Sequence, residues 1–169
     1  MRKNITLIIY ISFAVVLSAI ETVILPTSVI PGVKLGFANL VILVSLYQFG
    51  IKEAYFVSFI RVLIVSFVLG SFLTPTFMIS MGGMIFSLLG LTIFFKAQKF
   101  SIVGVSIIAS VMHIVGQVFS VMIIMNLDAI INVAPFLIYI AILTGAIIGY
   151  IAKRILRVIS IKTEVIYEF

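Results

Sequence analysis

The chain has 169 residues, 64% of them hydrophobic and only 9% charged, with a mean hydropathy of +1.43. This composition lies far outside the range of soluble domains and calls for lipid as the solvent. The formal charge of +6 is not read as a nucleic-acid surface, because its placement along the chain follows membrane topology, and the absence of cysteine excludes disulfides, thiolate metal sites and a cysteine nucleophile.

Six long apolar stretches follow one another, at Ile5–Leu25, Leu35–Phe49, Ala54–Leu73, Thr76–Phe95, Ile102–Met125 and Ala134–Ile151. Since a helical span needs about 20 residues, six spans and short turns consume the whole length. The expected fold is therefore an all-α polytopic membrane protein, a compact bundle of about six transmembrane helices forming a single domain over residues 1–169, with no room for a soluble catalytic domain. The breaks carry turn chemistry or charge: Pro26–Lys34 with two prolines and Gly32, Gly50–Glu53, Thr74–Pro75, Lys96–Ser101 and Asn126–Asn132. The first stretch follows Arg2 and Lys3 as a signal peptide would. Leu17 and Ala19 make a poor cleavage site, so it is read as a retained first span.

With the N-terminus inside the cell, Arg2, Lys3, Lys52, Lys96, Lys99, Lys153, Arg154, Arg157 and Lys162 all fall on the cytoplasmic side, against Lys34 alone outside. This positive-inside bias predicts cytoplasmic termini and an even number of spans.

A charge in the hydrocarbon costs at least about 2.5 kcal/mol, so polar residues within the spans carry the functional signal. On the fifth span Ser106, Ser110, His113, Gln117 and Ser120 share one helical face, which must meet protein or a cavity. The serines suit interhelical hydrogen bonds. His113 and Gln117, one turn apart, either do the same or present paired donors and acceptors to a ligand. One histidine without cysteines or clustered carboxylates does not supply a zinc site.

Counting about 1.5 Å per residue from the cytoplasmic side puts Arg61 about 10 Å deep, His113 about 18 Å, and Glu21 and Gln117 about 24 Å. Asn39 joins the last two from the outer side, with Lys34 at the mouth, which describes an outward polar pocket. Glu21 shares its face with Ala14 and Ser18, and small residues mark a packing face, so its carboxylate is expected to point inward. The alternative is an ion pair of Glu21 with Lys34 that pins the outer loop. Arg61, about 13 Å below Glu21 by the same rise, is expected to snorkel to the cytoplasmic surface or to meet a carbonyl, with substrate contact as the other reading. Gly83, Ser87 and Gly90, and Ala141, Gly145 and Gly149, mark close helix packing.

There is one aspartate, the glutamates are scattered, and no phosphate-binding loop or nucleophile with its base is present, so autonomous catalysis and ATP hydrolysis are not expected. No catalytic residue, metal or cofactor is assigned.

Several of these residues carry a family resemblance. Glu21 with Pro26, the run Pro31-Gly32-Val33-Lys34-Leu35-Gly36-Phe37-Ala38-Asn39, Arg61, Gly82-Gly83, and His113 with Gly116-Gln117 resemble heptaprenyl diphosphate synthase component I, also called the Gx transporter family, over residues 5–150. Here Ile114 follows His113 where the family often has asparagine. The resemblance implies a bacterial cell-membrane protein that assists a soluble prenyl synthase in making the side chain of menaquinone. The outline is also similar to the substrate-binding components of energy-coupling factor transporters, which borrow an ATPase and a transmembrane coupling module. The leading expectation is thus a transport protein whose small polar ligand meets Glu21, Lys34, Asn39, His113, Gln117 and Arg61. A non-catalytic synthase subunit is the second and a structural scaffold the third.

Because the chain has no cysteine, a single introduced thiol reports topology. Gln98→Cys in intact cells should resist an impermeant maleimide and Asp128→Cys should react; the reverse pattern would refute the orientation.

Overall fold

The computed structural model describes residues 2–24 and 36–163, with side chains over 3–22 and 36–159. The expected Pro26–Lys34 loop, Lys34 included, lies outside the described residues. Six α-helices follow in order: α1 Arg2–Ile24, α2 Asn39–Phe49, α3 Ile51–Val68, α4 Pro75–Lys96, α5 Ile102–Met125 and α6 Ala134–Thr163, with a short 3-10 turn at Asp128–Asn132. No strand occurs among the described residues, and the all-α bundle expected from the sequence is observed.

Helix lengths qualify the expectation of six spans. α1, α4, α5 and α6 are long and apolar enough to cross a membrane. α2 has 11 residues, about 16 Å of helix against a hydrocarbon thickness of about 30 Å. Asn39 and Val41 through Leu46 are all buried, so α2 is apolar all round because it is enclosed by the other helices rather than by lipid. α3 has 18 residues with Lys52, Glu53 and Arg61 among them, and falls outside the set of four. It ends at Val68, earlier than expected, where Gly70 and Leu73 take positive φ in the turn to α4.

The main core gathers Leu43 and Leu46 of α2, Val62 of α3, Met84 and Leu91 of α4, Val105 of α5 and Ile148 and Leu156 of α6 around this enclosed helix. α1 is held to one side: Ala14 packs on Val41 and Val57, Lys3 Nζ donates to Glu53 at 2.5 Å, and Tyr10 hydrogen-bonds Gln48. Its other face, Ile5, Ile9, Phe13, Val16 and Ile20, is exposed, as are Ile85 and Leu89 of α4 and Leu143 and Ile147 of α6. This apolar exterior is stable only against lipid.

The small-residue seams bring backbones together. A Cβ on Gly116 would stand 2.5 Å from the Gly82 carbonyl oxygen, and one on Gly145 2.8 Å from the Ile107 Cα. Ser110 and Ser106 of α5 face Gly145 and Gly149 of α6, whereas the Ser120 hydroxyl bonds its own helix at the Gly116 carbonyl.

Crowding of this kind is measurable. Gly116→Ala should cost about 1–3 kcal/mol in a reversible unfolding assay through overpacking, while Gly104→Ala, with only ordinary contacts 3.6 Å and beyond, should be neutral or stabilising. Equal effects would refute the role of the α4–α5 seam.

Candidate functional site

Five of the six residues singled out from the sequence are described, and all five are buried: Glu21, Asn39, Arg61, His113 and Gln117. Three of them, Glu21, Arg61 and His113, line a cavity of about 20 Å³, room for roughly one water molecule. Ser18 of α1 and Gly36 complete one wall. Val62, Val65 and Ser66 of α3 form another, and Ser71, Phe77 and Ser80 close it from the turn and α4.

Local structure explains each position. α1 presents Ala14, Ser18 and Glu21 on one buried face, so the carboxylate reaches the interior as its small neighbours predicted. There Glu21 Oε1 accepts the Gly36 backbone N–H at 2.5 Å. Gly36 has φ +87°, a conformation that a side chain would strain, and an added Cβ would lie 2.8 Å from Asn39 Nδ2. Its Asn39 neighbour opens α2, where its backbone N–H bonds the Gly36 carbonyl at 2.8 Å. On α5 the Gln117 amide contacts His113 Nε2 at 3.1 Å. The imidazole lies against Gly83, whose missing side chain makes the room: a Cβ there would meet His113 Cε1 at 2.9 Å and Gln117 Cγ at 2.8 Å. Asn39 and Gln117 thus stand behind the cavity wall, one beside Gly36 and the other beside His113.

Arg61 differs most from the sequence reading. It is only 5% exposed, so it does not snorkel, and it lines the same cavity as Glu21. The 13 Å offset was counted along parallel helix axes, and that count ignores helix crossing and the length of the arginine stem. Arg61 Nε has no hydrogen-bond partner among the described residues, nor has Asn39 Nδ2.

The serines escaped notice. Ser66 and Ser80 each sit among mostly apolar neighbours, and helical spacing from Arg61 to Val65 and Ser66 was the available signal. Both hydroxyls donate to their own helix, Ser66 to the Leu63 carbonyl at 2.7 Å and Ser80 to the Thr76 carbonyl at 2.9 Å. Their oxygens keep acceptor capacity toward the cavity.

Chemically the site opposes one cation to one anion inside a water-poor bundle, beside an imidazole and several hydroxyls. It is equipped to bind a polar group from both sides; no group of three histidine, aspartate or glutamate side chains suited to a metal occurs among the described residues.

Fold and site together define a helical membrane protein with an enclosed polar cavity. The family model for heptaprenyl diphosphate synthase component I matches residues 10–155, most of the chain, and the protein belongs to that family. Neither among curated proteins nor among solved structures does anything match.

Opposed charges at this depth should be coupled. Arg61→Gln alone should destabilise by about 3–5 kcal/mol because it strands a buried carboxylate, and adding Glu21→Gln should restore part of that loss. Strictly additive single effects in the unfolding cycle would show that the two groups do not interact.

Proposed function

We propose that the protein is the substrate-binding component of a membrane transport system, working in the bacterial cell membrane with both termini cytoplasmic. The observation that carries this reading is the presence of Glu21 and Arg61 on the wall of one cavity inside the bundle. Each charge costs at least about 2.5 kcal/mol to hold in the membrane, and both are buried within the bundle. Such intramembrane charges mark ligand paths more often than scaffolding.

A polar or zwitterionic small molecule suits this arrangement. Its anionic end meets Arg61 and its cationic end meets Glu21, while His113, oriented by Gln117, and the serine oxygens accept or donate the remaining hydrogen bonds. With room for about one water, the cavity must widen for any larger ligand, and the Glu21 bond to the Gly36 amide is the contact that such widening would strain. Energy for transport comes from a separate ATPase and coupling subunit, since nothing in the chain matches a nucleotide-binding loop.

The family description favours a second reading, in which the chain is a non-catalytic membrane partner of a prenyl diphosphate synthase. Mass spectrometry of proteins and small molecules that co-purify from gently solubilised native membranes separates the two. Recovery of an ATPase pair with a transmembrane coupling subunit supports transport, and recovery of a synthase subunit makes the second reading the correct one. In the transport case Asn39→Ala or His113→Ala should lower uptake at least about tenfold with normal insertion, the loss of one or two buried hydrogen bonds; unchanged uptake in both variants would sink the pocket.

A further inference from the structure

The turn that closes the polar cavity holds its shape against its own backbone preference. Between α3 and α4, Gly70 has φ +65° and Leu73 φ +61°. Glycine adopts this conformation freely, whereas leucine is forced into it, because its Cβ crowds the following carbonyl. The Leu73 side chain is 65% exposed, so its burial does not account for the conformation. Strain of this kind persists only where the surroundings impose it, and it gathers at parts that switch or clamp.

Two sets of contacts impose it here. An aromatic stack runs inward from the surface of the bundle: the Phe67 and Phe72 rings lie stacked with centroids 4.2 Å apart, and Phe72 meets Phe77 at 5.2 Å. Exposure falls along the stack from 62% at Phe67 through 36% at Phe72 to 9% at Phe77, which lines the cavity. The backbone of the turn is tied to the same wall. Leu69 N–H donates to the Val65 carbonyl at 3.0 Å and Ser71 N–H to the Ser66 carbonyl at 2.8 Å, and Val65, Ser66 and Ser71 all line the cavity. From the α4 side the Thr74 hydroxyl and N–H donate to the Ser71 carbonyl at 2.6 and 3.1 Å. Ser71 and Phe72 thus form a two-residue unit bracketed by two left-handed residues, with one member in the cavity wall and the other in the stack.

We propose that this turn is the gate of the cavity. Ser71 and Phe72 swing together about Gly70 and Leu73, the Phe72 ring leaves its neighbours, Leu73 relaxes to negative φ, and the cavity opens beside Ser71. The stack holds the gate shut while the Leu73 strain favours opening, so the two oppose each other in the closed state. An added Cβ on Gly70 would meet nothing within 4 Å, which leaves the backbone room to turn there. The gate rests on the binding reading for its purpose, since a site with room for about one water admits a larger ligand only when a wall moves.

Backbone conformation supplies a test with opposite signs. The chain has no cysteine, so Ser80→Cys places a single thiol in the cavity wall, and Ser87→Cys places one that is buried on the same helix outside the cavity. Labelling of each full-length variant by methyl methanethiosulfonate in nanodiscs is followed by mass spectrometry. Leu73→Gly removes strain from the closed turn and should slow labelling of the Ser80→Cys thiol about fivefold, whereas Gly70→Ala adds strain to the same turn, into open space, and should speed it about fivefold. Phe72→Ala, which breaks the stack, should speed it about tenfold. The Ser87→Cys rate should stay the same in all three. Rates at the Ser80→Cys thiol that ignore both backbone variants, or that move in one direction in both, overturn the gate. An equal change at the Ser87→Cys thiol also overturns it, because it marks loosening of the whole bundle. If Phe72→Ala does not reach the nanodisc folded, the two backbone variants decide. Labelling reads access and not binding, so loss of the gate leaves the binding reading to its own uptake test.

Discussion

A charge carried into hydrocarbon finds no water, and the organisation of this protein follows from how Glu21 and Arg61 meet that condition. They approach from α1 and α3, helices that pack against each other, and share a cavity large enough for about one water. Every neighbouring polar group is arranged around them. Glu21 is steadied by the Gly36 amide, His113 by Gln117, and the serine hydroxyls spend their protons on carbonyls of their own helices. Among the described residues, Arg61 Nε, Asn39 Nδ2 and the Ser45 and Ser110 hydroxyls keep no hydrogen-bond partner.

The scaffold that supports this site depends on close backbone approach. Gly82 and Gly116 let α4 and α5 touch, and Gly83 leaves the space into which the His113 ring fits. In lipid there is no hydrophobic force to press helices together, so contact area of this kind and buried hydrogen bonds supply the cohesion. α2 serves a different purpose. Too short to cross the bilayer, it is enclosed by the longer helices, and its first turn carries Asn39 to the cavity wall beside Gly36.

Membership of the heptaprenyl diphosphate synthase component I family and the chemistry of the site bear on different questions. The family concerns descent, whereas reaction chemistry requires particular groups, and a diphosphate-joining enzyme holds magnesium through carboxylates that this chain, with one aspartate and scattered glutamates, does not group. A role in binding and delivery is compatible with both.

Much of this was legible from composition and spacing. Long apolar runs dictate helices because hydrocarbon leaves the backbone no other way to satisfy its hydrogen bonds, and the inward face of α1 could be read from Ala14, Ser18 and Glu21 at helical intervals. The stripe of Ser106, Ser110, His113, Gln117 and Ser120 likewise announced its own burial, since polar groups on an apolar helix cannot face lipid. Tertiary structure alone decided two things. α2 proved to be an enclosed helix because hydropathy measures dislike of water and does not distinguish lipid from protein as the alternative. Arg61 and Glu21 came to line one cavity, which a uniform rise did not predict because helix crossing and side-chain reach are not encoded in residue counts.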